Sequence, residues 1–315
     1  MDHLQAKFLE HFVPLQDLSH DEALIEYFGR NSLKQHIIQK PIRFGYEVMC
    51  LNLTQGYLVA FELYQGGKGP YDEDLVASFG KSAAMVLQLL DKIPDDKKDL
   101  LFHITIDDRF TSLNLLCELV KRGYNGTGTI RANRVPKKCK IKSVEEMKKE
   151  PRGSYSVAQA KSEYGCTVNL VRWKDNNVVT TASTVFGSHP VGPVGRYSRN
   201  AKARIPVNRP HSIKQYNESM GGTDRQDQHV NNYRITCRGK KWWFPIFTWL
   251  LDISVQNAWL LGRSSGANDC STLLQFRRFI VNYYLRHYGK EPNAPGKKPL
   301  IFQALKNFAL IVWII

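Results

Sequence analysis

The run Leu100-Leu101-Phe102-His103-Ile104-Thr105-Ile106 is almost continuously apolar and stops at Asp107-Asp108. A strand that reads this way belongs inside a sheet covered on both faces. Phe110-Thr111-Ser112 then leads into a helical stretch over 113–121, for which Ser112 is the N-cap and Gly123 the close. Residues 126–132 read as the next strand. Strand, helix, strand in that order predicts an α/β chain, and it puts Asp107 at the carboxyl end of a buried strand, where such sheets bind ligands. His103 has no second histidine at ligand spacing and reads as a core residue.

Around this unit the chain is mostly extended. Residues 20–50 carry Asp21-Glu22 near their start and basic residues at Arg30, Lys34, Lys40 and Arg43, and Gly29-Arg30-Asn31-Ser32 and Lys40-Pro41 break them into short extended pieces. Residues 46–53 and 56–64 predict a hairpin. The glycines at 66–69 form a loop without the strand-loop-helix setting of a phosphate cradle. Residues 82–93 have helical apolar spacing and stop at Pro94.

The stretch 135–152 is lysine-rich and reads as a linker or solvated surface helix, with nuclear localisation or DNA-backbone contact as the alternative reading. Residues 168–185 alternate around Asp175-Asn176-Asn177 and predict a second hairpin, with Asp175 as a turn residue. Residues 192–209, rich in Gly, Pro, Arg and Lys, read as the return from this β unit.

A second acidic motif follows at Met220-Gly221-Gly222-Thr223-Asp224-Arg225-Gln226-Asp227. Thr223 and Gln226 have capping-box spacing, which predicts a helix starting at Thr223 with Asp224 and Asp227 on one face of its first turn. Such a pair can hold a divalent cation, and it can equally complement the positive end of the helix dipole. Beyond it, Arg238, Lys240 and Lys241 abut Trp242-Trp243-Phe244, a mixture suited to phosphates and stacked bases. Residues 245–261 are apolar on nearly every face, so most of these aromatics are assigned to a core. A last amphipathic helix covers 271–288, and 291–299 reads as unstructured.

Charge narrows the partner. Over 315 residues, Lys and Arg outnumber Asp and Glu 44 to 29, a net +15 that points to a polyanion such as nucleic acid or an acidic membrane surface. The six cysteines are scattered, with no C-x-x-C pair, against both a zinc module and a disulfide framework. No signal peptide opens the chain, and the apolar tail 308–315 is far too short to span a bilayer. Cytosol or nucleus is the expected location.

The motif set Asp21-Glu22, Phe28-Gly29-Arg30, Lys40-Pro41-Ile42-Arg43-Phe44-Gly45-Tyr46, Asp107-Asp108-Arg109-Phe110-Thr111-Ser112, Tyr216-Asn217 and Met220-Gly221-Gly222-Thr223-Asp224 resembles, in order and content, the piggyBac transposases and their domesticated derivatives over residues 15–288. The resemblance implies a ribonuclease-H-like catalytic domain in two parts, 14–134 and 211–233. A β-rich insertion at 135–210 interrupts it, and a helical dimerisation and DNA-binding half-domain at 234–290 and a tail at 291–315 follow. It implies Mg²⁺-dependent cutting and joining of DNA at TTAA targets in the nucleus, with no membrane role.

Residue by residue, the family's catalytic, metal-holding aspartates fall on Asp21, Asp107, Asp224 and Asp227, with Asp108 where the family word has Asn. Two Mg²⁺ ions about 3.5–4 Å apart between such carboxylates suit phosphodiester chemistry. Arg30, Lys34 and Arg43, with Arg238, Lys240 and Lys241, are the expected contacts to the DNA backbone. Family members carry a longer segment before the first aspartate and a cysteine-rich zinc module at the far end. A truncated copy, dimerising only if the missing half-domain is supplied, is therefore one expectation. A catalytically inactive DNA-binding derivative or relic is the alternative, and a ribonuclease-H-like nuclease acting on RNA ranks below both.

Overall fold

The computed structural model describes residues 1–38, 42–161, 165–199, 201–237, 239–266 and 272–289. In chain order the elements are α1 (Asp2–Glu10), β1 (Asp17–Glu26), β2 (Gln35–His36), β3 (Phe44–Leu53), β4 (Leu58–Leu63), α2 (Glu73–Phe79), α3 (Lys81–Asp91), α4 (Asp95–Lys98), β5 (His103–Ile106), α5 (Leu113–Lys121), β6 (Asn125–Thr129), α6 (Val144–Lys149), β7 (Tyr155–Lys161), β8 (Thr167–Lys174), β9 (Val178–Ser183), β10 (Gly192–Ser198), β11 (Ala203–Arg209), α7 (His211–Ser219), α8 (Gly222–Asn232), α9 (Phe244–Ser264) and α10 (Leu273–Tyr288).

One mixed sheet runs β2-β3-β1-β5-β6-β9-β8-β7, with β4 also on β3. β1, β5 and β6 are parallel, and β9, β8 and β7 extend the sheet in antiparallel sense from β6. Contacts divide the chain into two compact units. The larger comprises Pro14–Ala23 and Glu47–Arg225, the smaller Met1–Val13, Leu24–Tyr46 and the described residues from 226 onward.

In the larger unit the sequence builds the layers by strand alternation. Leu18, Ile104 and Gly126 share a rung and a face, and α5 lies on that face so closely that a Cβ on Gly126 would run into Leu116 and Leu119. The opposite face is polar. Its rungs are Asp17–His103–Asn125, then Ser19–Thr105–Thr127–Ser183. Ser219 of α7 donates to Asp17 Oδ1 (3.2 Å), and Ser212 of α7 lies 2.9 Å from the Thr181 hydroxyl, so α7 covers this side.

Several expectations hold: the hairpins β3–β4 and β8–β9, the helix α3 ending ahead of Pro94, and α5 with the Ser112 hydroxyl accepting from Leu115 N–H. Others change. The strand expected over 100–106 is confined to β5, and Leu101 is 70 % exposed, because the chain enters the sheet only at His103. Residues 192–209 are no simple return. They form the ribbon β10–β11, whose Val194, Ile205 and Val207 pack with Trp173, Val179, Ile213 and Tyr155 in a small core of their own.

In the smaller unit α9 packs against α1 and α10. Trp249 and Trp259 are buried as expected, but Trp242 and Trp243 are about half exposed, since they precede the helix that would have drawn them into the core. No helix among the described residues is long and apolar enough to cross a membrane. The tail 291–315, with the apolar stretch 308–315, lies outside the described residues.

Candidate active site

The ladder β1–β5 ends at His20↔Ile106, and β5–β6 ends at Ile106↔Gly128. Asp21 and Asp107 are therefore the next residues on adjacent parallel strands, with Thr129 beside them. Alternation puts all three on the polar face, about 4.8 Å apart strand to strand. The Thr129 hydroxyl donates to Asp107 Oδ1 (3.2 Å) and lies 3.4 Å from the phenol oxygen of Tyr216 on α7. Burial raises the Tyr216 pKa, and the charges of Asp107, Asp21 and Asp108 push it the same way. One phenol thus senses all three carboxylates, which locates them around the end of α7.

The word 107–112 is explained residue by residue. Thr111 turns its hydroxyl back to Asp107 O (2.8 Å) and lies so close over Gly128 that a Cβ there would collide with it. Phe110 is buried edge-on to His20 (4.5 Å between ring centroids). Arg109 pairs with Glu47 and, at 3.7 Å, with Glu22. Ser112 caps α5. Arg134, just ahead of the lysine-rich stretch, donates to the carbonyls of Asp108, Arg109 and Thr111 and holds the loop in place. Asp108 itself meets Arg131 at 3.2 Å. The Asp107 carboxylate caps no helix, and it accepts from the Thr129 hydroxyl on the polar face of the sheet.

The twin glycines position the second acidic motif. Gly221 has φ +107, and a Cβ on Gly222 would lie 2.5 Å from both Leu53 O and Ser19 Oγ. Only glycine lets α8 start directly on the rung below Asp21. The helix begins at Gly222, one residue earlier than expected, and Thr223 donates to Asn52 Oδ1 (2.9 Å), so this hydroxyl ties the helix to β3. Asp224 is exposed in the first turn, and Asp227 follows three residues on in the same helix.

Among the described residues no three Asp, Glu, His or Cys groups converge closely enough to hold a metal ion. Asp21 and Asp107 are brought together; Asp224 is not drawn into a closed cluster with them. Two carboxylates still suit Mg²⁺, which keeps several waters and commonly takes one or two carboxylates beside substrate phosphates.

Of the expected DNA contacts, Arg30 and Arg43 are exposed, and Lys34 lies over the Phe44 ring at 5.6 Å. Lys240 and Lys241 are exposed just ahead of α9, while Arg238 lies outside the described residues.

Two rungs below, His103 is 4 % exposed, with Nδ1 2.9 Å from Asp17 Oδ1 and Nε2 2.9 Å from the Thr127 hydroxyl. It is the satisfied core histidine that the sequence predicts. The His103 hydrogen bond holds the Asp17 carboxyl below its ordinary range. A depressed carboxyl stabilises the fold above its unfolded pKa, and that contribution is lost as pH falls through the folded value. Below about pH 4, thermal melting of the parent is therefore expected to fall more steeply with pH than that of Asp17→Asn; parallel slopes would show that the bond adds nothing.

Asp21 and Asp107 thus stand just past the last paired rung of two adjacent parallel strands, on the polar face of the sheet. The model of the family described as Transposase IS4 matches residues 1–259, and the chain belongs to that family. It is 37% identical over 289 residues to human PiggyBac transposable element-derived protein 3, covering 91% of this chain and 47% of that protein. It is 33% identical over 314 residues to human PiggyBac transposable element-derived protein 2, covering 99% and 51%. The chain thus spans about half the length of these relatives. A cryo-EM structure of a piggyBac transposase synaptic complex with hairpin DNA superposes with a TM-score of 0.68 at 17% identity, covering 98% of this chain and 59% of that one.

Proposed function

We propose that this chain is a piggyBac-type transposase domain that cuts and joins DNA strands at TTAA targets in the nucleus with Mg²⁺. The observation that carries the reading is that Asp21 and Asp107 directly follow the last paired rung of β1 and β5, with the Thr129 hydroxyl on the Asp107 carboxylate and Tyr216 against Thr129. A central parallel trio β1–β5–β6 beside the antiparallel pair β3–β4 supports a ribonuclease-H-like core in the parts 14–134 and 211–233, interrupted by 135–210.

In this reading Asp21 and Asp107 hold the metal from the sheet, Asp224 supplies a third carboxylate from the start of α8, and Asp227 supports it from the next turn. Bound there, Mg²⁺ would polarise a phosphoryl oxygen and lower the pKa of the attacking water or 3′-hydroxyl. Thr129 keeps Asp107 oriented, Tyr216 lies against Thr129, and Arg134 keeps the loop in register. Arg30, Lys34, Arg43, Lys240 and Lys241 neutralise the DNA backbone, and Arg238 belongs with them by sequence. The helical segment 234–290 would serve dimerisation and DNA binding, with a homodimer as the working species.

The test is a duplex carrying TTAA beside a labelled end, incubated with the protein and Mg²⁺ or EDTA. Mg²⁺-dependent nicking or end joining, lost in Asp224→Ala, is the expected result. Salt-sensitive binding without cleavage would reassign the chain as a non-catalytic DNA-binding derivative. Preferential cutting of an RNA:DNA hybrid would make it a ribonuclease.

A further inference from the structure

The ribbon β10–β11 takes no part in the carboxylate site, and its chemistry points to a task of its own. From residue 176 to 217 the chain contains no Asp or Glu, while Arg196, Arg199, Lys202, Arg204, Arg209 and Lys214 all fall there. Alternation sorts the ribbon into two faces. Val194, Ile205 and Val207 turn inward onto Trp173 and Ile213. Pro193, Gly195 and Tyr197 on one strand and Arg204, Pro206 and Asn208 on the other turn outward and are exposed, Tyr197 by 59 % and directly opposite Arg204.

The ribbon is anchored from its base up to Tyr197, and its unpaired cations lie at Arg204 opposite Tyr197 and in the turn beyond. Arg196 is neutralised by Asp175 (3.0 Å), which also takes Arg152 (2.6 Å). Arg152 donates to Tyr197 O (3.1 Å), and Trp173 Nε1 donates to Asn208 O (2.7 Å). Toward the tip, Arg199, Lys202 and Arg204 are exposed, and none has a carboxylate partner among the described residues. Three free cations on a rigid two-stranded ribbon, with small residues along its outer ridge, are a poor fit to an apolar partner and a good fit to a phosphate-lined groove.

We propose that β10–β11 is a DNA-reading ribbon that enters the major groove of duplex DNA, with Arg199, Lys202 and Arg204 on the phosphates and Tyr197 on the groove floor. The major groove, about 12 Å wide, admits a two-stranded β-ribbon. β11 passes through Pro210 into α7, whose Tyr216 and Ser219 sit on the carboxylate face, so a duplex held by the ribbon is coupled by a short rigid connection to Asp107. The proposal rests on the reading that the substrate is DNA. It adds which surface grips the flanking duplex.

The experiment is fluorescence anisotropy with a labelled mixed-sequence duplex, comparing the parent with R199A/K202A/R204A between 50 and about 300 mM salt. Each phosphate contact contributes about 0.9 to the slope of log affinity against log salt. The triple variant should therefore lose roughly 2.7 from the slope and bind roughly tenfold or more weakly at moderate salt. R199K/K202R/R204K should keep the parental slope, and unchanged melting of all three proteins excludes misfolding. A triple variant matching the parent in affinity and slope overturns the ribbon and leaves the DNA reading intact. A parent that binds no duplex at the lowest salt overturns both. Binding of a structured RNA in preference to duplex, lost in the triple variant, overturns DNA as the occupant.

Discussion

Asp107→Asn is expected to remove Mg²⁺-dependent cleavage, by roughly a thousandfold or more, and to leave the folded protein at least as stable as the parent. Loss of the charge removes a hard anionic donor, and the amide that replaces it can neither hold Mg²⁺ as tightly nor balance the charge of a phosphate beside it. The fold does not need that charge. Asp107 follows the last paired residue of β5, Thr111 holds its carbonyl, the Thr129 hydroxyl that donates to its carboxylate can donate equally to an amide oxygen, and Asp21 occupies the neighbouring position on β1. Two like charges side by side on adjacent strands oppose folding by roughly 0.2–1 kcal/mol.

Activity and stability should therefore move in opposite directions, a pattern that a structural aspartate would not produce. Thermal melting without metal, paired with the nicking assay, reads both. Retained cleavage in Asp107→Asn, or a fall in melting temperature comparable to that of a core mutation, would remove Asp107 from the active site. Asp21→Asn should behave alike. Adding Mg²⁺ should raise the melting temperature of the parent and leave both variants unmoved, since a ligand that binds only the native state stabilises it.

Much of this arrangement was legible in the chain. The strand-aspartate-helix-strand order, the Ser112 cap and both long hairpins follow from local spacing that tertiary packing did not override. What escaped is instructive. β5 reads as uniformly apolar, yet His103, Thr105 and Asp107 alternate with Ile104 and Ile106, and the same alternation in Asp17, Ser19, Asp21 and in Asn125, Thr127, Thr129 builds a polar face. A four-residue strand with a buried histidine is too short to show period two against an apolar background.

The role of Gly222 was equally hidden, because close approach to Leu53 O and Ser19 depends on strands far away in sequence. So was Tyr216, which only the fold brings to Thr129. The ribbon at 192–209 was masked by its glycines and prolines, which read as loop; its strand character comes from packing on Trp173 rather than from propensity.

In the smaller unit, Arg277→Ala is expected to destabilise the protein by about 3–5 kcal/mol at neutral pH, the cost of leaving one partner of a buried ion pair alone. Asp252 lies in the middle of α9 with its side chain fully buried, and both its oxygens are engaged: Oδ1 by Arg277 of α10 (2.6 Å) and Oδ2 by the N–H of Ile235 (3.0 Å). Burial raises the Asp252 pKa, and Arg277, with the Ile235 N–H and Arg234, works against that rise. Removing Arg277 releases the main opposing charge, so the folded-state pKa climbs further above the unfolded one. A carboxyl raised in this way favours the folded state at pH below its unfolded pKa and loses that advantage as pH rises through the folded value. The defect of Arg277→Ala should therefore shrink between pH 7.5 and pH 4.5, whereas a pure packing loss would be the same at both. The double variant Asp252→Leu, Arg277→Leu should recover most of the lost stability, since replacing both charges by apolar groups removes the desolvation cost along with the pairing. Urea unfolding of the three proteins at the two pH values decides it: a pH-independent defect, or a double variant no better than Arg277→Ala, would show that the pair is held for its shape rather than its charge.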